Sequence, residues 1–379
     1  MSLYSKRGVS AQKEEVHFAV KDLDVGLFKR AFCKIYPDYL LKDENFVNVM
    51  HADGAGTKSI LAYLYWKETG DKSVWRGIAQ DAIVMNLDDL ICAGVYDDIL
   101  FSSTIDRNKN LITAEVLKEI IDGSQEFFDL MKSCGINIHY LGGETADVGD
   151  VVRTIAVNGT MMARWPKNKI VTNERIRVGD VIVGLASYGK ALYEKEENSG
   201  IASNGLTSAR HDILEKFYAN NFPESFDPSL PDEVVYIGKH RISDIKKILS
   251  PTRTFAPLMK QVLSRHFDDI HGLIHCSGGG QTKCLKYTPD FTRIVKRDLF
   301  PAPEIFREIQ SASNASNYEM YQVFNMGCRM EIYTTIQRSA EIIDLAESFG
   351  IEARIIGQVE TSEEKELVLE LENEILYYQ

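Results

Sequence analysis

Between Ile78 and Gly94 the chain reads IAQDAIVMNLDDLICAG, a stretch long enough for a helix and apolar around most of its circumference. A helix of that kind is buried on more than one side, so the fold has to wrap around it. It nevertheless carries Asp81, Asp88 and Asp89, and steps of seven and eight residues return to nearly the same helical face, which makes the acids a stripe. Burying carboxylates costs free energy unless a partner of opposite charge meets them. Ion pairs with arginine satisfy that requirement, and so does a bound cation.

Strand-type and helix-type segments alternate along the 379 residues, the pattern of an α/β or α+β chain long enough for two domains. Phe46 to His51 reads as a strand running into the turn Asp53-Gly54-Ala55-Gly56, with a helix starting near Thr57. Leu117, Ile120, Ile121, Ser124, Phe128 and Met131 recur at helical spacing and stop before Gly135. A strand over Ile136 to Leu141 leads to Gly142-Gly143-Glu144. The polar stretch after Ala163, with Pro166, sets a boundary near Val171 and hence domains over 1–171 and 172–379. In the second half, Asp180 to Ala186 predicts a strand, and a Gly/Ser-rich loop through Gly205 leads to a helix from Leu206. Pro251 to His266 predicts a helix, and Ile270 to Cys276 a strand ending in Gly278-Gly279-Gly280.

The 43 basic residues are outnumbered by 55 acidic ones, and without a dense basic run a nucleic-acid partner is not expected. The first residues, MSLYSKRGVSAQKEE, lack an apolar export core, and no window approaches the roughly 20 apolar residues of a membrane span. A cytoplasmic protein away from membranes is expected. The six cysteines form no C-x-x-C pair and suit reduced core thiols. His271 and His275 are spaced H-x-x-x-H, but Gly272 stands where a zinc protease has glutamate, and the segment reads as strand.

Asp53 and Glu144 each follow an expected strand beside glycines that let a backbone approach a ligand closely. Together with the helical stripe, five acids are expected to converge on Mg²⁺, which takes hard oxygen ligands and is completed by phosphate oxygens and water. Lys58 offers a point charge for a phosphoryl oxygen. The run Gly54 to Ser59 lacks Walker spacing. Ser203-Asn204-Gly205 and Gly278 to Gly280 suit anion binding through backbone N–H groups, or simple tight turns.

Seven stretches resemble, in order, the aminoimidazole ribonucleotide synthetase (phosphoribosylformylglycinamidine cyclo-ligase) family. They are His51 to Lys58, Asp88-Asp89-Leu90, Gly142 to Ala146, Ser203-Asn204-Gly205, Pro251-Thr252-Arg253, His275 with Gly278 to Gly280, and Phe324 to Gly327. The resemblance implies a two-domain protomer, each domain a mixed sheet packed with helices, and a homodimer formed through the N-terminal domains. It also implies ATP-dependent ring closure of formylglycinamidine ribonucleotide in purine biosynthesis. On this reading Asp53, Lys58, Asp89 and Glu144 are catalytic, and Asp53, Asp81, Asp89 and Glu144 hold metal. Gly54, Gly56, Thr57, Gly143 and Thr145 meet ATP, while Ser203, Asn204, Gly205, Thr252, Arg253, Gly278 and Gly279 meet the ribonucleotide.

Two departures stand out. The family's glycine-rich run before the first acidic turn is missing, since His17 to Asn45 holds only Gly26, and Ala202 replaces the histidine before Ser-Asn-Gly. Lys190, Tyr193 or Lys195 of the longer loop 189–201, or Lys6 and Arg7 near the start, are the expected replacements for that histidine's polar contact. A small-molecule kinase of the same ATP-binding group and a non-catalytic nucleotide-binding subunit are the competing readings.

Overall fold

Strict alternation of buried and half-buried residues from Ile155 to Ala163 marks a strand packed on one face only, and it is central to the first of two sheets. The structure is a computed structural model that describes residues 3–10 and 18–379. Residues 1–2 and 11–17, which include part of the stretch read for an export signal and His17 of the expected cover, lie outside the described residues.

A short helix α1 (Leu3–Lys6) precedes the first sheet, whose strands are β1 (Ile35–Pro37), β2 (Phe46–Gly54), β3 (Ile99–Arg107), β4 (Ile138–Asp147) and β5 (Ile155–Pro166). Their order is β1-β2-β5-β3-β4, antiparallel except for the β3–β4 pair. Helices α2 (Lys58–Thr69), α3 (Val74–Cys92) and α4 (Ala114–Ser133) complete this half. Helix α3 is the acid-bearing segment, and it is buried at every position from Asp81 to Cys92. It lies between the first sheet, α4 and the second half of the chain. At Gly123 of α4 a Cβ would come within 2.7 Å of the Arg76 backbone, so only glycine lets α4 approach α3 this closely.

The second half contains β6 (Val181–Ala186), a hairpin of β7 (Tyr188–Gly189) and β8 (Asn198–Ser199), α5 (Leu206–Ile213), α6 (Phe217–Asn221), α7 (Ala256–His266) and β9 (Ile270–His275). It continues with β10 (Thr292–Lys296), α8 (Glu304–Ser313), α9 (Asn317–Val323), β11 (Cys328–Thr334), α10 (Ile336–Ser348), β12 (Ala353–Thr361), β13 (Glu366–Glu370) and β14 (Ile375–Tyr378). The seven-stranded order β14-β13-β10-β12-β6-β11-β9 is again mixed, with β10 and β13 parallel. Strands β6, β9 and β11 are buried at every residue, as expected of a sheet covered on both faces. Among the described residues no helix is long and apolar enough to cross a membrane.

Three boundaries differ from the sequence reading. Asp53 and Gly54 end β2 rather than following it, and Gly143-Glu144 lies within β4, past a register shift opposite Phe101 to Ser103. Helix α7 starts at Ala256, because residues 250–255 stay out of the helix to reach α3.

Candidate functional site

The acids of α3 are met mainly by the second half of the chain. Asp81 Oδ1 accepts hydrogen bonds from Lys58 Nζ at 2.9 Å, Thr252 N at 2.7 Å and Thr252 Oγ1 at 2.5 Å. Asp88 accepts from Thr254 Oγ1 at 2.7 Å and Arg329 Nη2 at 2.9 Å. Lys58 also donates to the Ser250 carbonyl and Gln80 to that of Thr252, so residue 250 meets α2 while 252 and 254 meet α3 at points two turns apart. All of these charged groups are buried. Burial pushes the Lys58 pKa down against the pull of Asp81, and it raises Asp88 despite Arg329.

The residues between these contacts face the other way. Arg253 donates Nε and Nη2 to Glu194 Oε1 and Oε2 at 3.0 and 2.5 Å, and its remaining donors reach the carbonyls of Ala186, Tyr188 and Gly189. All five N–H groups of the guanidinium are thus engaged within the protein. Arg253, expected at the substrate, instead braces the loop 186–194. Thr252 is likewise committed to Asp81. Tyr193 of that loop is bonded to the Thr254 carbonyl, and Lys195 is exposed and paired at 4.0 Å with Glu126.

Asp89 has a different environment. His275 Nδ1 lies 2.5 Å from its Oδ1 and His51 Nε2 3.1 Å from its Oδ2, so a histidine brackets each oxygen. The other nitrogen of His275 lies 2.8 Å from Arg329 Nη1, which can only donate, and this assigns the Nδ1–H tautomer. His51 Nδ1 faces Asn86 Oδ1 at 3.2 Å. Asn86 is oriented by its amide, which donates to the carbonyls of Ala82, Asp53 and Gly159. Both nitrogens of His51 therefore face acceptors, the arrangement of an imidazolium. Burial opposes that charge, but Asp89, Asp53 and Asn86 raise its pKa overall. Burial would raise Asp89, yet hydrogen bonds from His275 and His51 hold it well below the carboxylate range. Cys33 donates to the Asp89 carbonyl at 3.2 Å and Phe32 stacks on Tyr287, so this glycine-poor segment closes one side of the Asp89 cluster.

Asp53 shares a strand face with His51, and its carboxylate feels the charges of Asp89 and His51. Desolvation by surrounding protein, then Asp89, raises its pKa although its surface is open. An open carboxylate backed by the buried Asp89 charge suits a hard cation with phosphate ligands, and Asp53 fits Mg²⁺ on that chemistry. The five acids do not converge. Asp81 and Asp88 face the second half, and the register sets Glu144 in the row of Gly54, Asn158 and Thr104. That row is next to the one containing Asp53 and faces the opposite way. Two strands intervene, three spacings or about 14 Å. Gly143 and Thr145 are exposed on the same distant strand. Among the described residues no three His, Cys, Asp or Glu side chains cluster as a metal cage.

The remaining candidates meet at one seam. Thr57 Oγ1, at the start of α2 after Gly54 and Gly56, lies 2.8 Å from Thr207 Oγ1 on α5. Ser203 Oγ is 3.2 Å from Thr252 Oγ1, and Asn204 Nδ2 lies 3.6 Å from where a Gly278 Cβ would stand, with Gly279 next in the turn. Asn204 Oδ1 is buried without a hydrogen-bond partner among the described residues. Gly205 has φ +78°, and a Cβ there would sit 2.2 Å from the Phe324 ring, so glycine is required on both counts. The relay Lys58–Asp81–Thr252–Ser203 joins the expected ATP turn to the expected substrate turn. Sequence reasoning gave no role to Arg329, His51, Asn86 or Thr254. A charged residue in the apolar run CRMEIYT and a histidine two residues before Asp53 were the available signals.

This fold, with two mixed sheets joined across an acid-bearing helix, defines a class, and the comparisons agree. Residues 38–165 match the family description "AIR synthase related protein, N-terminal domain" and residues 177–370 its C-terminal counterpart; the chain belongs to this family. A curated relative from Methanocaldococcus jannaschii, named phosphoribosylformylglycinamidine cyclo-ligase, is 31% identical over 311 residues, 82% of this chain and 77% of the relative. One of the same name from Methanococcoides burtonii is 28% identical over 369 residues, 94% of each chain. These relatives are enzymes by name. Among solved structures, the AaThiL complex with AMPPCP and TMP aligns with TM-score 0.55 at 11% identity, covering 97% of this chain and 95% of that one. A HypE-HypF complex aligns at 0.57 and 14% identity, covering 98% and 99%. At such identities the likeness is one of fold.

Proposed function

We propose that the chain is an ATP-dependent cyclo-ligase that closes the imidazole ring of formylglycinamidine ribonucleotide, yielding aminoimidazole ribonucleotide, ADP and phosphate. The observation that carries this reading is the seam. An ATP-type turn (Gly54 to Lys58) and a ribonucleotide-type turn (Ser203 to Gly205, with Gly278 and Gly279) meet there through Thr57–Thr207 and through Asp81. The relatives' names support the same reaction.

In chemical terms, the γ-phosphoryl group passes to the formyl oxygen and ADP leaves. A substrate nitrogen then attacks the activated carbon, the C–O bond to phosphate breaks, and the ring nitrogen loses a proton. Such chemistry depends on positioning and charge neutralisation. Asp53, with Asp89 beside it, would hold Mg²⁺, which when bound neutralises phosphate charge. His51 and His275 fix the Asp89 carboxylate. Lys58, buried on Asp81, orders the seam rather than touching phosphate. Gly143 and Thr145 would act from the far strand on another part of the nucleotide, whereas Glu144, on the opposite sheet face, would not reach it.

We assign nucleotide binding and pairing to residues 1–171 and completion of the substrate site to 172–379. The helix-free face of the first sheet presents a row of Met50, Met162 and Leu100, with Met50 62% exposed, and it suits a homodimer interface. The test is ADP release from Mg-ATP with and without formylglycinamidine ribonucleotide, following the imidazole product. One product per ADP supports the reading. Nucleotide bound without substrate-dependent turnover rejects it in favour of a binding subunit, and phosphoryl transfer without ring closure in favour of a kinase.

A further inference from the structure

Arg7 lies outside both matched family ranges, yet its side chain is fully buried against the second half of the chain. Its Nε donates to the Val234 carbonyl at 2.9 Å. Its Nη1 donates to the Ser208 carbonyl at 3.1 Å and Ser208 Oγ at 2.8 Å, and it pairs with Asp212 Oδ1 at 2.7 Å. Ser208 and Asp212 are four residues apart on α5, hence on one helical face, so the guanidinium grips a full turn of that helix. The N-terminal end of α5 carries Gly205 and Thr207 at the seam, with Ser203 and Asn204 just before it. Arg7 therefore cannot replace the missing histidine by touching a ligand, because it stands behind the helix that presents the ligand-facing turn.

We infer that Arg7 is a positioning residue for the ribonucleotide half of the site: it clamps α5 from behind and so fixes where Ser203, Asn204 and Thr207 stand at the seam. The inference rests on the cyclo-ligase reading. With Nη1 on Ser208 and Asp212 and Nε anchored on the Val234 carbonyl, the planar guanidinium ties an eight-residue helix to a second segment, and an ammonium has no second nitrogen to make that link. The nucleotide turn meets α5 through Thr57–Thr207, but Lys58 also anchors it to Asp81 on α3, away from the clamp. The two ligands should therefore respond differently to loss of the clamp.

The experiment is calorimetric titration of the full-length protein with formylglycinamidine ribonucleotide and, separately, with a non-hydrolysable ATP analogue, on wild type, Arg7→Lys and Ser208→Ala. Ser208→Ala removes one acceptor of the clamp and nothing at the seam, which covers the case of an Arg7 variant that does not fold. The expected result is ribonucleotide binding weakened about tenfold in Arg7→Lys and less in Ser208→Ala, with nucleotide affinity within about twofold of wild type. A purely structural role would lower the thermal midpoint and leave the ratio of the two affinities unchanged; that outcome in both variants overturns the inference. If wild type binds no ribonucleotide, the cyclo-ligase reading fails and the inference falls with it.

Discussion

At the scale of single residues, Asp89 is a buried carboxylate with one histidine on each oxygen. Asp89→Asn keeps its shape but sets an amide donor against a histidine donor. The variant should fold, by circular dichroism, and lose turnover on the order of 100-fold. Full turnover at saturating Mg²⁺ would remove Asp89 from the mechanism. His211 gives a pH signature. Burial, with Arg210 and Arg7 nearby, depresses its pKa to about 2. It is therefore neutral in the fold and protonates in the unfolded chain below about 6.5. Stability is retained above that value and lost as pH falls from it toward 2, by at most about 1.4 kcal/mol per pH unit. Urea midpoints between pH 7 and 5 should drop less in His211→Asn than in wild type. The acids, the glycines and Lys58 were legible as chemistry-bearing residues, but their partners were not. Arg329 follows Asp88 by 241 positions, and nothing local couples the two.

At the scale of elements, α3 and the segment 250–255 act as one joint. The stripe of Asp81, Asp88 and Asp89 was readable from helical spacing, and so was the need for partners. The protein partners turned out to be Lys58, Arg329, two histidines and two threonines. A pair buried this way is costly to break from one side, so Arg329→Met should destabilise by about 3–5 kcal/mol. Adding Asp88→Asn should recover part of that loss, which a double-mutant cycle by urea denaturation measures. Additive losses would mean that the two side chains are not energetically coupled. Boundaries were less legible than elements. Pro251 and the apolar residues after it suggested an earlier helix start, but bonds to α3 keep that stretch out of the helix.

At the scale of the whole molecule, the helix-free sheet face is left unpartnered among the described residues of a single chain. Met50→Glu, with Leu100→Glu, should shift the protein from dimer to monomer in sedimentation velocity and leave circular dichroism unchanged; a wild-type monomer at micromolar concentration would defeat the pairing. By itself the sequence determined the two-domain α/β pattern, the buried acidic helix and the family, because periodicity, glycine turns and motif order are local properties of the chain. Only the tertiary structure decided which acids are spent on holding the halves together and which stand open. It also decided that Arg253 and Arg7 serve as braces, and that Glu144 faces away from Asp53. Those outcomes depend on strand register and on contacts between residues far apart in the chain, where a side chain's role is set by what packing brings to it.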